Sequence, residues 1–291
     1  MRKNGRKILA SLIKLLLLYT QKYNLIDGFE ETAAEMYKSG KTLQEIANVI
    51  GTYPGKVGKI LKELGLKRGR QYKYINEHYF DVIDSEDKAY ILGFLIADGC
   101  IRLEERKNVT SYRIAFSNNI DDSEIIELIH SKICPNQVLR VWQNPIGHRK
   151  PQYTLQWTSE YMAKILEDKY NITNRKTYDV HFRFPFENIP SQFHRDIIRG
   201  FLDGDGCVQK HCISFVFNSI KFLTQVIDVF KDLFQKNPLT PSMLYHIEVV
   251  DGKTTKYWRL RIATGHGRRA LIKNYLYNGA SYFLTRKFAK F

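Results

Sequence analysis

The sequence predicts an α+β protein made of two similar halves, preceded by a separate all-α segment. Three observations support this prediction: an internal repeat over residues 85–291, strands in that repeat whose residues alternate between apolar and polar, and short helical patterns in residues 29–66. The 291 residues leave room for about two domains. With 44% hydrophobic residues, the chain can build real cores.

The internal repeat is the strongest of these signals. Its first copy opens Ile91-Leu-Gly-Phe-Leu-Ile-Ala-Asp-Gly-Cys100 and its second opens Ile198-Arg-Gly-Phe-Leu-Asp-Gly-Asp-Gly-Cys207. Asp98 therefore matches Asp205. Gly93 and Gly99 likewise match Gly200 and Gly206.

The segments that follow each motif also correspond. They are strands ending Phe116-Ser-Asn118 and Phe215-Val-Phe-Asn218, helical patterns over Ser123–Ile133 and Ile220–Phe234, strands over Tyr153–Trp157 and Trp258–Ile262, and the tripeptides Asn174-Arg-Lys176 and Thr285-Arg-Lys287. Each half therefore reads helix, two strands, helix, two strands, helix. We place the first copy at residues 85–190 and the second at residues 191–291.

The alternating strands predict sheets with one apolar and one polar face. Helices should cover the apolar face, which leaves the polar face open. The side chains on it that suit DNA are Arg102, Arg113, Arg140, Gln143, Gln152, Gln156, Arg259 and Arg261. Arg and Gln match the edges of guanine and adenine in the major groove, although any solvated sheet would also alternate.

Charge adds a second argument for a nucleic acid partner. Lys and Arg number 45 against 30 Asp and Glu, which gives a net charge of +15 and a pI of about 9.5. This excess predicts a phosphate-rich partner, with an anionic membrane surface as the weaker reading. The apolar run Ile8–Tyr19 is short and amphipathic, and no stretch approaches the roughly 20 apolar residues of a membrane span.

The four cysteines show no spacing typical of a zinc site or a disulfide framework. They are Cys100, Cys134, Cys207 and Cys212. We expect a reducing compartment, that is, a cytoplasmic protein that reaches DNA and is not secreted.

The paired motif predicts a site for chemistry. Gly93 with Ala97, and Gly200 with Gly204, have the four-residue spacing that lets two helices approach closely. If the helices pack there, Asp98 and Asp205 meet at two helix C-termini, where negative charge is unfavourable without a cation. The glycines after them, Gly99 and Gly206, are expected in the left-handed region that ends many helices. Asp-Gly is also a common turn pair, which is the plain alternative for either motif alone.

At these residues the chain resembles the single-chain LAGLIDADG homing endonucleases. The second copy, Gly200-Phe-Leu-Asp-Gly-Asp-Gly206, is a close match, whereas the first has Ile96 where many members have an acid. The resemblance implies a pseudo-twofold αββαββα fold with saddle-shaped antiparallel sheets over DNA, and cleavage of both strands across the minor groove.

The resemblance also implies a set of metal ligands. Asp98 and Asp205 would hold two or more Mg²⁺ ions, for which Mn²⁺ could substitute, with the backbone carbonyls of Ala97 and Gly204 as further contacts. The partner would be double-stranded DNA with a long specific target, bound by a monomer because one chain carries both motifs.

Basic residues around the catalytic water are a further feature of the family. Lys176 and Lys287 match across the repeat and are the candidates for this role, with phosphate contacts or solvated lysines as alternatives. Gln156 and Arg261 also correspond across the repeat.

Residues 1–70 are predicted to form a helical region with a helix-turn-helix at about 29–66. Thr42 and Glu45 have the spacing of a capping box, and Pro54 suits the first turn of the next helix. The apolar seam is expected at Ile46, Ala47, Ile50, Val57, Ile60, Leu61 and Leu64. Lys56 and Lys59 would then face DNA, as the second helix of such modules does. A helical hairpin used only for packing is the alternative, and residues 71–84 form a basic linker.

Two other functions remain compatible with the sequence. One is a non-cutting regulator that combines a degenerate LAGLIDADG unit with a helix-turn-helix. The other is an RNA-splicing maturase. The presence of both Asp98 and Asp205 favours the endonuclease.

Overall fold

The computed structural model describes residues 28–39, 41–66, 75–106, 109–142, 150–235, 241–250, 253–265 and 267–291. The chain forms two compact units, divided between Ile75 and Asn76. The apolar run Ile8–Tyr19, residues 71–74 of the predicted linker, and Gln143 lie outside the described residues.

The described part of the first unit forms three helices, α1 (Phe29–Lys38), α2 (Leu43–Ile50) and α3 (Pro54–Glu63). The capping box at the start of α2 is confirmed: Glu45 N donates to Thr42 Oγ1 at 3.1 Å, and Thr42 N donates to Glu45 Oε2 at 2.6 Å. Pro54 occupies the first turn of α3, as predicted. Gly51 ends α2 with a φ of 73°, a conformation that favours glycine and turns the chain towards α3.

The core of this unit differs from the predicted seam at two positions. Its buried residues are Ala33, Ile46, Ala47, Ile50, Val57, Ile60 and Leu61. Leu64 was expected among them but is 43% exposed, because α3 ends at Glu63 and the chain turns away at Leu64. Ala33 of α1 and the partly buried Leu66 pack against the cluster instead.

The second unit contains the predicted order of elements twice. The first half consists of α4 (Glu86–Ala97), β1 (Cys100–Arg106), β2 (Val109–Asn119), α5 (Ser123–Ile133), β3 (Arg140–Trp142), β4 (Gln152–Thr158) and α6 (Glu160–Tyr170). The second consists of α7 (His194–Asp205), β5 (Gly206–Val208), β6 (Cys212–Phe217), α8 (Ile220–Phe230), β7 (Ser242–Val250), β8 (Lys253–Ala263) and α9 (Arg268–Tyr277), followed by the short α10 (Thr285–Phe288). Single 3₁₀ turns cover Ile120–Asp122, Lys176–Tyr178, Phe186–Asn188, Ser191–Phe193 and Lys231–Phe234.

Each half has one four-stranded antiparallel sheet, with strand orders β1-β2-β4-β3 and β5-β6-β8-β7. The predicted apolar faces are confirmed. Their buried members are Ile114, Phe116, Leu155 and Trp157 in the first sheet and Ile213, Phe215, Leu260 and Ile262 in the second.

The two halves repeat in three dimensions as well as in sequence. Phe94 of α4 stacks on Phe116 with ring centroids 6.1 Å apart, and Phe201 of α7 stacks on Phe215 at 5.9 Å. The α+β fold with two αββαββα halves, predicted from the sequence, is therefore confirmed.

Residues 76–83 belong to the second unit and are not an open linker. Tyr79, Phe80 and Ile83 are buried. Tyr170 donates to the carbonyl oxygen of Phe80 at 2.8 Å, which fastens the segment to α6. These three residues of the predicted basic linker therefore serve as core residues. No helix in the described ranges is long and apolar enough to span a bilayer.

Candidate active site

Glycines bring the two motif helices, α4 and α7, into direct backbone contact. A Cβ atom added at Gly93 would lie 2.0 Å from the carbonyl oxygen of Ile197, and one at Gly200 would lie 2.1 Å from that of Tyr90. One at Gly204 would lie 2.2 Å from the Cβ of Ala97. These distances are far below van der Waals contact, so the predicted close approach through small residues is confirmed.

This packing places the two aspartates at adjacent helix ends. Asp98 is the C-terminal cap of α4, and Asp205 is the last residue of α7. A Cβ on Gly204 would lie 3.3 Å from Asp98 Oδ2, so the Asp98 carboxylate lies against the last turn of α7. The end of each helix adds the partial negative charge of its dipole to these carboxylates.

Glycine is required after each aspartate for a different reason from the one predicted. Gly99 and Gly206 are not among the described glycines with positive φ, so the expected left-handed cap is wrong. A Cβ at Gly99 would instead lie 2.2 Å from Leu95 Cδ1 and 2.8 Å from the Leu95 backbone, and one at Gly206 would lie 2.5 Å from the carbonyl oxygen of Leu202. The chain leaves each helix so tightly over its last turn that only glycine fits.

Both carboxyls have a raised pKa. Loss of hydration within the protein, together with repulsion from Asp98, raises the pKa of Asp205 to about 6, although its side chain remains exposed. Loss of hydration also raises the pKa of Asp98, against the attraction of Lys287 and Lys176. The site therefore holds negative charge that its surroundings do not fully stabilise.

Lys176 and Lys287 are buried and hydrogen-bonded to the ends of the motif helices. Lys176 Nζ donates to the carbonyl oxygens of Ile96 at 2.7 Å and Ala97 at 3.3 Å. Lys287 Nζ donates to those of Leu202 at 2.7 Å, Gly204 at 3.0 Å and Gly206 at 2.8 Å. Each lysine is only 4% exposed, so the alternative of a solvated lysine is wrong.

Among these acceptors, the carbonyl groups of Ile96, Ala97 and Gly204 lie in a last helical turn, which has no further intrahelical donors for them. The carbonyl group of Leu202 also accepts from Gly206 N. Burial lowers the pKa of Lys287 to about 8 and lowers that of Lys176 as well, while the aspartates act in the opposite direction. The carbonyl oxygens of Ala97 and Gly204, predicted as metal contacts, each accept one lysine hydrogen bond and retain a second lone pair. Across the described residues, no three His, Cys, Asp or Glu side chains form a cluster suited to a metal ion.

The polar faces of the sheets hold most of the predicted DNA-contacting side chains. Arg102, Arg140 and Arg261 are exposed, and Arg259, Gln152 and Gln156 are half-buried. Arg113 is less available than predicted, because its Nη2 forms an ion pair with Glu104 Oε2 at 2.8 Å. Gln156 pairs with Ala115 and Arg261 with Ser214, which confirms that these two residues occupy equivalent places in the repeat.

A cleft of about 760 Å³ opens beside Asp205. Its walls include Thr177, Tyr178 and Val180 from the segment after Lys176, and Tyr257 and Trp258 of β8. Tyr178 is 81% exposed. The site is therefore open on the side of the second sheet.

A buried polar network around α7 was not predicted. Arg199 is 0% exposed and donates to Asp196 Oδ1 at 2.7 Å and to Glu86 Oε1 at 2.7 Å. Asp203 is 1% exposed and accepts from Tyr90 Oη and Leu284 N, each at 2.7 Å. The spacing of Asp196, Arg199 and Asp203 on one face of the helix was the available signal.

Comparison with known proteins gives structural similarity alone. No family model and no curated protein matches the chain. The chain is similar in structure to mesophilic variants of the homing endonuclease I-DmoI, with 14% identity, a TM-score of 0.44, and coverage of 66% of this chain and 88% of that chain. It is also similar to the homing endonuclease I-WcaI bound to its DNA recognition sequence, with 13% identity, a TM-score of 0.43, and coverage of 83% and 96%. A third similar structure is the LAGLIDADG homing endonuclease I-SmaMI bound to cleaved DNA, with 10% identity, a TM-score of 0.43, and coverage of 72% of this chain and 87% of that chain.

Proposed function

We propose that this chain is a site-specific double-stranded DNA endonuclease of the LAGLIDADG type, which hydrolyses both strands at a site formed by Asp98 and Asp205. One observation carries the proposal: glycine contacts between α4 and α7 bring two matching carboxylates to adjacent helix ends. Each belongs to a half with an open polar sheet face, in a chain of net charge +15. The chain would act as a monomer, since it contains both halves.

The donor chemistry of the site fits divalent metal ions. Mg²⁺ usually takes only one or two carboxylates and completes its shell with water and phosphate oxygens. The raised pKa of Asp205 reflects loss of hydration first and repulsion from Asp98 second, and a bound cation would offset both by stabilising the carboxylate. Asp98 and Asp205 would hold the ions, with the carbonyl oxygens of Ala97 and Gly204 as further ligands. When bound, such ions activate water and stabilise the leaving oxygen.

The two lysines would then act differently. An ammonium group has three donors, and Lys287 directs its hydrogen bonds at three carbonyl groups, so it fixes the backbone on both sides of Asp205. Lys176 donates to two carbonyl groups and keeps one N–H for the scissile phosphate or the attacking water. We therefore assign substrate contact to Lys176 and positioning to Lys287.

The polar sheet faces would hold the DNA. A two-stranded ribbon fits the major groove, and β7 with β8 forms such a ribbon beyond the end of β6. Arg259 and Arg261 would read guanine in one half-site, and Gln152 and Gln156 would read adenine in the other. Because these sets differ, the target should be asymmetric.

Cleavage of a randomised double-stranded DNA library tests this function. In Mg²⁺ or Mn²⁺ we expect paired breaks at one recurring sequence, and a chelator should abolish them. Sequence-specific binding without breaks in either metal would instead identify a non-cutting regulator. Splicing of an RNA substrate, again without DNA breaks, would identify a maturase.

The first unit would extend the contact on one flank. Lys59 is exposed on α3, and Lys56 is half-buried one turn before it. Replacing both by alanine should weaken DNA binding and lower the slope of log affinity against log salt by about 1.8, at roughly 0.9 for each lost phosphate contact. Footprinting should lose protection on one side only, with the cleavage position unchanged.

A variant with Lys38 and Lys221 replaced by alanine serves as the control. It removes the same charge from two exposed positions, one in each unit. If both double variants bind alike, the three helices of the first unit pack without reading DNA.

A further inference from the structure

We propose that three acidic side chains of the first half, Glu86, Asp122 and Glu124, position Lys287 beside Asp205 in the second half. They do so by holding the C-terminal arm, defined here as residues 281–288. This inference rests on the proposed endonuclease function for its effect on cleavage. The contacts themselves are independent of that function.

The first half binds the C-terminal arm at three successive points. Glu86 Oε1 accepts from Ser281 N at 2.7 Å and from Tyr282 N at 3.3 Å. Glu124 accepts from Thr285 N at 2.7 Å and from Thr285 Oγ1 at 2.9 Å.

The third point is an ion pair next to the lysine itself. Asp122 is 2% exposed, and its Oδ2 accepts from Arg286 Nη2 at 2.7 Å while its Oδ1 accepts from Arg286 Nε. A two-point arginine–carboxylate contact is among the more specific hydrogen-bonded pairs. Lys287 follows directly in the sequence, so the two residues before it are both tied to the other half.

The lysine cannot move independently of this arm. Helix α10 is a single turn, and Lys287 donates from it to the carbonyl oxygens of Leu202, Gly204 and Gly206. These three groups surround Asp205 in the sequence. A shift of the arm by about an ångström would break hydrogen bonds that are already near their normal length.

The second half also holds a segment next to Lys176, but by different chemistry. This segment, residues 177–186, follows Lys176, whereas the held points of the C-terminal arm precede Lys287. Its Phe182 and Phe184 contact α8 and the Ser219 that caps it. Gln225 donates to the carbonyl oxygen of Phe184 at 2.7 Å and accepts from Phe184 N at 2.9 Å, and Ser219 Oγ donates to the carbonyl oxygen of Phe182 at 2.7 Å. Each half therefore holds a segment adjoining the other's lysine, one through carboxylates and one through amide and hydroxyl groups.

This difference makes the lysines separable by mutation. Loss of the acidic contacts should disturb Lys287 and leave Lys176 in place. If each lysine supports its own side of the site, the two DNA strands should then be cut at unequal rates. Glu86, Asp122 and Glu124 are accordingly positioning residues, since they act through Lys287.

The test uses the full chain with Asp122→Asn combined with Glu124→Gln. Asp121→Asn is the matched control, because Asp121 lies in the same 3₁₀ turn, is exposed, and pairs with Lys150 away from the arm. Glu124→Gln alone is the milder variant, at an exposed position, should the double variant unfold. Thermal unfolding establishes which variants are folded.

Two readouts are needed. In brief labelling with an amine-reactive reagent followed by mass spectrometry, Lys287 should become reactive in the test variants and stay protected in the parent and in Asp121→Asn. Lys176 should stay protected throughout. With DNA labelled separately on each strand, the test variants should cut one strand about tenfold more slowly relative to the other, as expected for loss of charged hydrogen bonds, and should accumulate nicked DNA.

The outcomes separate the two hypotheses. If the parent protein cuts neither strand, the proposed function fails, and the labelling result still decides the positioning of Lys287. If Lys287 stays protected in the folded test variants, the positioning role is overturned. Equal loss of protection at both lysines, or equal slowing of both strands, would also overturn it.

Discussion

Replacing either Asp98 or Asp205 by asparagine should abolish double-strand cleavage, with a rate loss on the order of a hundredfold to a thousandfold or more. Asparagine has nearly the same shape, so the packing of α4 on α7 should survive. It removes the negative charge with which each carboxylate would hold a divalent cation. DNA affinity should change little, because most of the proposed contacts lie on the sheet faces.

Single-turnover cleavage and fluorescence anisotropy on the same DNA measure these two effects. Asp168→Asn is the control, because Asp168 is an exposed carboxylate on α6 that lies outside the motif helices. Robust cutting by either motif variant would remove the paired aspartates from the mechanism.

A measurement of thermal stability tests the state of the Asp205 carboxylate independently of cleavage. The pKa of Asp205 is raised from 3.8 to about 6 in the folded protein, so its ionisation disfavours the folded state as the pH rises through this range. Asp205→Asn should therefore raise the melting temperature at about pH 7 in a chelator, and should have little effect below about pH 4. A lower melting temperature at neutral pH would show that the carboxylate is well stabilised without a metal.

The parts of the site that the sequence predicted correctly depend on spacing. The four-residue spacing of Gly93 with Ala97 and of Gly200 with Gly204 leaves a narrow choice of structures, because only close helix packing requires it. Because the motif occurs twice with the same neighbours, the alternative that each Asp-Gly pair is only a turn became less favoured. The alternation in β4 and β8 was equally readable, since Leu155 and Trp157 in β4, and Leu260 and Ile262 in β8, are buried while the residues between them are not.

The parts that were missed depend on contacts between residues distant in the sequence. Lysine usually lies at the surface, and nothing local indicates that Lys176 and Lys287 end at helix carbonyls. Arg199 and Asp203 are charged residues whose partners come from Glu86, Tyr90 and residue 284. Burial of such groups is costly unless each finds a partner, and those partners are set by the tertiary fold.

The sequence indicated that Gly99 and Gly206 matter, but it did not indicate the physical reason why glycine is required there. At Gly99 and Gly206 the pattern suggested a backbone conformation, whereas the observed constraint is the space over Leu95 and Leu202. Both explanations require glycine in the sequence. They differ in what a substitution does, since the observed clash would distort the last turn of the motif helix.

Substituting Gly200 by alanine should be among the most destabilising single changes in the second unit. The added Cβ would lie 2.1 Å from the carbonyl oxygen of Tyr90 and 2.8 Å from the backbone nitrogen of Phe94. Backbone atoms of a helix cannot move aside as a flexible side chain can, so the two helices must separate. Overpacking of this kind costs about 1–3 kcal/mol and occasionally more. That is a large share of the roughly 5–15 kcal/mol of stability typical of a folded domain.

The same separation should also reduce cleavage, because it moves Asp205 relative to Asp98. Chemical denaturation should show a lower midpoint with an unchanged slope, and single-turnover cleavage should slow even where the protein remains folded. Gly93→Ala should behave alike, since its Cβ would meet the carbonyl oxygen of Ile197 at 2.0 Å. Gly265→Ala is the matched control, because no atom beyond its chain neighbours lies within 4 Å of the added Cβ. If Gly200→Ala and Gly265→Ala share the parent's midpoint and rate, close backbone contact between α4 and α7 is not what holds the two aspartates together.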